Sequence, residues 1–153
     1  MPVPTIRLAR SDDLEGLSTL YAELRPADPP WPPGEAQAQL DRLCANADIA
    51  LVVAECGGVL AATCMLALVP QLASASRPLG WIEHVVTLPA FRGQGLAQAV
   101  LAHALELAWQ RRAAKVVLLS GAQRIGAHRV YEAVGFRGDV ECGFVAKPPV
   151  ARP

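Results

Sequence analysis

The sequence predicts a single domain of the mixed α/β (α+β) class, with its elements in the order β-α-α-β-β-β-α-β-α-β. Segments of continuous or alternating apolar residues, typical of strands, are separated by segments whose apolar residues recur every three or four positions, typical of helices. Glycine and proline stand at most of the boundaries between them. The 153 residues contain no internal repeat and no linker, which favours one domain over residues 1–153, with a loose tail over 147–153.

The first half of the chain is predicted to form a strand, two helices and a β-hairpin. These elements cover residues 3–9, 11–25, 34–45 and 49–69. Ser11 or Asp12 caps the first helix, and positions 14, 17, 21 and 24 give it an apolar stripe. Five prolines within residues 26–33 end that helix, because proline lacks a backbone N–H. The hairpin turns at Gly57-Gly58, since glycine tolerates the backbone angles of a tight turn.

The second half is predicted to supply three more strands and two more helices. The strands cover residues 79–88, 115–119 and 141–146. A long helix begins near Gly95, and one of its faces carries Leu96, Val100, Leu101, Ala104, Leu105 and Ala108. A shorter helix ends at Gly135, a residue suited to a helix C-terminus because it accepts the left-handed conformation.

The composition argues against several classes of function. The 14 Lys and Arg are matched by 14 Asp and Glu, so the chain lacks the basic excess of a nucleic-acid or membrane-surface protein. The apolar run at 59–69 is short of the about 20 residues that a membrane span needs. The N-terminus shows no signal-peptide pattern, and the four cysteines show neither CxxC nor metal-ligand spacing. We therefore expect a cytoplasmic protein with buried, reduced thiols, no metal, and no nucleic-acid or membrane partner.

The junction between the strand at 79–88 and the long helix is the segment best suited to bind an anion. A helix N-terminus presents unpaired backbone N–H groups and a partial positive charge. Gly93 and Gly95 let an anionic group approach that backbone, and Arg92 adds a donor for phosphate. The alternative is that the glycines only shape the turn. Neither a complete GxGxxG pattern nor a GxxxxGKS/T motif is present in the sequence, so a dinucleotide fold and a P-loop are not expected.

This segment resembles the signature of a known family. Arg92-Gly93-Gln94-Gly95-Leu96-Ala97 is similar to the R/Q-x-x-G-x-G/A motif of the GNAT superfamily of acyl-CoA-dependent N-acetyltransferases. The resemblance continues through residues 81–89, 115–121 and 130–136, the last ending in Tyr-Glu-x-x-Gly-Phe. It implies a mixed, mainly antiparallel sheet of six to seven strands with helices on both faces, and it is compatible with a homodimer.

The same resemblance implies that the co-substrate is acetyl-CoA. Its pyrophosphate would rest on the backbone of the signature loop, formed by Arg92, Gly93, Gln94, Gly95, Leu96 and Ala97. Its pantetheine arm would pair with the preceding strand along Val85, Val86 and Thr87, where an amide N–H would also polarise the thioester carbonyl. The implied activity is direct transfer of the acetyl group, in a ternary complex, to a primary amine of a small molecule or a protein. A module that binds acyl-CoA without turnover is the alternative.

Two residues are candidates for the proton transfers of that reaction. Tyr131 matches the tyrosine acid of the family, and its phenol has a pKa above that of the thiol it would protonate. The alternative is a tyrosine that only packs on the sheet. Glu83 matches a glutamate base found in a branch that resembles glucosamine-phosphate N-acetyltransferases, although an ion-paired structural glutamate is also consistent. In a regular strand His84 would point to the opposite face from Glu83, but a bulge would change that.

The segment 120–129 departs from the family pattern, because it lacks the asparagine that many relatives use to bind pantetheine. Ser120, Gln123 or the backbone would have to replace it. We expect the region of the first two helices to select the acceptor. Trp31 stands there among prolines, and it either forms an aromatic wall of the acceptor site or only covers the surface. The sequence does not name the amine.

Overall fold

The computed structural model describes residues 2–150 and contains the predicted elements in the predicted order as far as the last helix. The strands are β1 (Thr5–Leu8), β2 (Ile49–Cys56), β3 (Val59–Val69), β4 (Leu79–Thr87) and β5 (Lys115–Leu118). The helices are α1 (Leu14–Leu24), α2 (Glu35–Ala45), α3 (Leu96–Gln110) and α4 (Ile125–Ala133). Gly135 has a φ of +102°, which confirms the left-handed position expected after α4.

The strands form one mixed sheet in the order β1-β2-β3-β4-β5. The first three pairs are antiparallel, and β4 pairs with β5 in parallel through the crossover helix α3. The prediction of a mixed, mainly antiparallel sheet is therefore confirmed. Within residues 2–150 the sheet has five strands, so the expected six to seven is too many.

The missing strand is the one predicted over residues 141–146, which form neither strand nor helix. Among the described residues no backbone hydrogen bond joins this segment to β5. Lys115 Nζ lies 2.8 Å from both carboxylate oxygens of Glu141, and Gly143 lies against the side chain of Leu119. Phe144 and Val145 are largely exposed. The prediction was wrong because these apolar side chains find no core to cover, and hydropathy alone does not supply a pairing partner.

Helices cover both faces of the sheet, as predicted. On one face α3 packs closely, because Ala104 and Ala108 are fully buried and bring the helix backbone near the strands. On the other face α1 buries Leu17 and Leu20, and α2 buries Leu40. Among residues 2–150 we find no helix with the length and hydropathy of a membrane span.

A cluster of charged side chains anchors the start of α1. Both guanidinium nitrogens of Arg7 bond the Asp13 carboxylate, at 2.7 and 2.9 Å, and Arg7 also bonds Glu55 at 2.8 Å. Asp13 accepts the Arg10 backbone N–H as well, and these bonds lower the pKa of its carboxyl group. Asp13, rather than the predicted Ser11 or Asp12, therefore organises the turn before the helix.

The four cysteines are all free, but only two of them are buried. Cys56 and Cys64 lie in the sheet, and burial raises the pKa of the Cys64 thiol to about 12, which keeps it protonated and unreactive. Cys44 and Cys142 are exposed, so the expectation of four buried thiols holds for one pair only.

Candidate active site

A β-bulge interrupts β4 where the candidate base stands. Thr63 of β3 lies opposite Val86 and Met65 lies opposite Glu83, so that two residues of β4 face the single Cys64. His84 takes up the extra length with a φ of +56°, a conformation that costs energy for a residue with a Cβ.

The bulge changes which face each side chain of β4 occupies. Ile82 and Val85 both pack in the core beneath α3, whereas Val86 packs in the core beneath α1. His84 contacts Tyr21 of α1 edge-on, with ring centroids 5.6 Å apart. The expectation that Glu83 and His84 point to opposite faces applied to a regular strand, and β4 is not regular here.

The two parallel strands separate just beyond the bulge. In the described residues, pairing between β4 and β5 ends at Ile82 and Leu118, while β4 continues to Thr87. The second half of β4 therefore turns its β5-side edge toward a cleft of about 580 Å³ rather than toward a neighbouring strand. The cleft is lined by Glu23, Leu24, Val85, Val86, Thr87, Phe91, Arg92, Gly93, Gly95, Leu96, Ala97, Gln98, Arg124, Gly126, Ala127, Val130 and Tyr131.

The signature loop forms the wall of this cleft at the N-terminus of α3. Gly93 and Gly95 have φ values of +74° and +77°, and no described atom lies within 4 Å of the place where a Cβ would stand on either. The glycines thus leave open space above a helix end whose backbone N–H groups point outward. The arrangement has the shape and polarity of an anion cradle.

Arg92 stands at the edge of this cradle and is held by a neighbour. Its Nη2 lies 2.7 Å from Glu23 Oε1 of α1, and its Nε donates to the Thr87 carbonyl oxygen at 3.3 Å. The pair is largely exposed, so it contributes little to stability. Glu23 and Arg92 are 69 positions apart, and no spacing signal in the sequence connects them.

Two buried hydroxyl groups beside the cleft lack hydrogen-bond partners among the described side chains: Thr87 Oγ1 and Ser120 Oγ. Thr87 lines the cleft at the end of β4, and Ser120 follows β5. Because a buried hydroxyl without a partner is costly, these two groups are suited to meet the polar atoms of a bound molecule. Ser120 belongs to the segment that lacks the asparagine.

Tyr131 lines the cleft from α4 and is only 8% exposed. Its ring packs edge-on against Phe136, with centroids 6.3 Å apart. Burial raises the pKa of the Tyr131 phenol, and the nearby charge of Glu83 acts in the same direction, whereas Arg124 and the Ser120 hydroxyl lower it. The phenol therefore stays protonated at neutral pH.

Glu83 is half-buried on β4, outside the lining of the cleft but close enough to act on the pKa of Tyr131. Its Oε1 accepts a hydrogen bond of 2.8 Å from Trp81 Nε1, which fixes the carboxylate on its strand. Tyr131, the candidate acid, and Glu83, the candidate base, thus both lie near the point where β4 and β5 separate.

The other predicted site residues fall into two groups, those that line the cleft and those that do not. Of the loop residues, all but Gln94 line the cleft; the Gln94 side chain instead donates to the Ala90 carbonyl oxygen at 3.5 Å. Arg124, which the sequence analysis did not single out, also lines the cleft. Trp31 does not line it, and borders a second cavity between α1 and α2.

Comparison with known proteins identifies the family. The model of the acetyltransferase (GNAT) family matches residues 15–136. A candidate acetyltransferase from Agrobacterium tumefaciens is 38% identical, with a TM-score of 0.87 over 94% of this chain and 99% of that one. No curated protein sequence matches the chain at the significance required.

Two more distant structures share the fold. Glucosamine-6-phosphate N-acetyltransferase from Arabidopsis thaliana is 21% identical, with a TM-score of 0.85 over 95% of this chain and 98% of that one. The aminoglycoside acetyltransferase AAC(6')-Iy, in complex with the bisubstrate analogue CoA-S-monomethyl-acetylneamine, is 20% identical, with a TM-score of 0.79 over 95% and 99%. The chain therefore belongs to the GNAT family of acetyltransferases, enzymes that transfer an acetyl group to an amine.

Proposed function

We propose that this acetyltransferase uses acetyl-CoA as its donor and acetylates a primary amine of a small molecule or peptide by direct attack in a ternary complex. The observation that supports this most strongly is the open glycine cradle at the N-terminus of α3, next to the unpaired half of β4 and opposite Tyr131. A related fold, that of AAC(6')-Iy, carries a CoA-based bisubstrate analogue. When bound, acetyl-CoA supplies the acetyl group as a thioester.

In this proposal the loop and strand hold the donor through backbone groups. The N–H groups from Arg92 to Ala97 bind the pyrophosphate, and the absence of side chains at Gly93 and Gly95 allows that approach. Arg92 exchanges part of its contact with Glu23 for the phosphate. The unpaired edge of Val85, Val86 and Thr87 binds an extended polar chain as an added strand would.

Tyr131 acts as the acid. Its raised pKa keeps the proton on the phenol at neutral pH, so Tyr131 donates a hydrogen bond to the sulfur as negative charge develops there. The Ser120 hydroxyl, which acts on the pKa of the phenol, orients Tyr131 from the end of β5.

Glu83 acts as the base that accepts a proton from the acceptor ammonium group, directly or through water. The bond from Trp81 Nε1 holds the carboxylate, and the bulge holds His84 beside it on the α1 side. His84 is a positioning residue here, because its ring is packed on Tyr21.

A thiol-release assay tests this function. Acetyl-CoA and a panel of primary amines are incubated with the protein, and free CoA is measured; we expect amine-dependent release. The Glu83→Gln variant should lower kcat by about 10²-fold, because glutamine keeps the acceptor for Trp81 but cannot take a proton. Tight CoA binding without release across the panel would indicate a binding module instead.

A further inference from the structure

A second cavity lies between α1 and α2, and the residues of α1 that line it differ from Glu23 and Leu24, which line the cleft. Its volume is about 560 Å³, which falls within the roughly 300–1,000 Å³ typical of small-molecule sites. The lining residues are Leu14, Leu17, Tyr21, Trp31, Glu35, Ala36, Gln39, Leu40, Arg42, Leu43 and Leu51. We refer to it as the α1–α2 cavity.

The chemistry of the α1–α2 cavity favours an apolar ligand. Its floor is made of buried leucines, with Leu17, Leu40 and Leu51 each at most 4% exposed. Trp31 adds an aromatic wall that is itself half exposed, so the indole ring has room for a further contact. The charged and amide side chains of the lining, Glu35, Gln39 and Arg42, are exposed, so among the described lining residues the less exposed part carries only the Tyr21 hydroxyl as a polar side-chain group.

Two rings in edge-on contact lie between the α1–α2 cavity and the candidate base. Tyr21 lines the cavity and packs edge-on against His84, 5.6 Å between centroids, and His84 follows Glu83 in the strand. The bulge in β4 is what brings His84 to this face. A ligand seated in the cavity therefore lies on the face of the sheet where the Glu83 region begins, separated from it by Tyr21.

We propose that the α1–α2 cavity holds the apolar body of the acceptor, which is thus an amine bearing an aliphatic or aromatic group. This inference rests on the proposed function and specifies its substrate class. The amino group extends past Tyr21 toward Glu83, and the apolar group lies on the leucine floor beneath Trp31. A polyhydroxylated amine would leave its hydroxyl groups unpaired against that floor, which disfavours it.

The test uses 2-phenylethylamine and n-alkylamines of increasing length, with ethanolamine and glucosamine as polar comparisons. We expect kcat/KM to rise about threefold to fourfold for each methylene added. The variant Ala36→Phe fills the cavity from α2 and should lower kcat/KM for 2-phenylethylamine at least about 10-fold. Its matched control is Ala38→Phe, an exposed position of the same helix outside the cavity, which should behave as the wild type.

Two further readouts separate this inference from the proposed function. CoA binding, measured by calorimetry, should be unchanged in both variants. Binding of 2-phenylethylamine is measured in the same way, and it should be lost in Ala36→Phe and retained in Ala38→Phe. That pattern would support the cavity assignment even without thiol release, in which case only the proposed function fails. Equal or better use of glucosamine and ethanolamine, or equal effects of the two variants, would overturn the assignment while leaving acetyl transfer intact.

Discussion

Gly95 and Gly34 offer a matched pair of substitutions that separates backbone strain from ligand contact. Both precede a helix, both have a φ of +77°, and at neither would a Cβ meet a described atom within 4 Å. Gly95 lines the cleft and Gly34 does not. Alanine at either position pays the cost of the left-handed conformation, about 1–2 kcal/mol. In a chain of this length that corresponds to a fall in Tm of about 2–8 °C.

The two variants should differ in their affinity for CoA. A methyl group on Gly95 occupies the space through which the pyrophosphate reaches the helix N-terminus, and loss of one or two charge-assisted hydrogen bonds costs about 2–4 kcal/mol. We expect Gly95→Ala to raise the Kd for CoA by about 30- to 1000-fold, and Gly34→Ala to leave it unchanged. Calorimetric titration with CoA, together with thermal unfolding of both variants, gives the two quantities. Equal Kd values in the two variants, with equal losses of Tm, would refute the cradle assignment.

Three further substitutions probe the remaining side chains. Tyr131→Phe should lower kcat by about 10²-fold or more without changing CoA affinity, because the ring contacts remain; an unchanged kcat in the thiol-release assay removes Tyr131 from the mechanism. Burial raises the pKa of the Tyr21 phenol from 10.0 to about 12 in the folded protein. The contribution of the buried, protonated phenol to the free energy of unfolding is therefore complete below pH 10 and is lost as the pH rises from 10 to 12. Denaturant unfolding at pH 9 and 11.5 should show the wild type losing up to about 2 kcal/mol relative to Tyr21→Phe, and parallel curves would contradict this. Asp13→Asn should lower the free energy of unfolding by about 2–4 kcal/mol near pH 7, because it removes one of the two carboxylates that Arg7 binds, whereas the exposed control Asp139→Asn should change nothing measurable. Since the pKa of Asp13 is lowered, this difference should shrink as pH falls through that pKa; a difference that does not shrink as the protein is acidified argues against the ion pair.

The elements with strong periodicity were predictable from the sequence. The strand predicted over residues 59–69 has those bounds in the structure, and the predicted inward face of α3 is buried at five of its six positions. These segments are long and strongly apolar, β3 because both of its faces are buried and α3 because one face packs on the sheet, so local sequence carries the information. The signature loop was predictable for the same reason, because its glycines encode a local backbone shape.

Features that depend on a distant partner were not predictable. The pairing of Arg92 with Glu23 joins residues 69 positions apart, and the placement of Trp31 depends on how far α1 and α2 stand from each other. The segment 141–146 has the composition of a strand, but whether it pairs is decided by the edge of β5. In each case the contact that determines the structure involves residues outside the segment from which the prediction was made.

The bulge at His84 gives β4 one residue more than its pairing with β3 requires. Because His84 takes up that residue, Ile82 and Val85 share one core, while Val86 enters the other. Deleting His84 would restore strict alternation and leave these three side chains on their present faces, because Val85 would then stand two positions after Ile82. The deletion should therefore be compatible with both cores, while it removes the contact with Tyr21 and the local bend of the strand. The two cores alone do not require the extra residue, so its consequence is the shape of β4 beside the cleft.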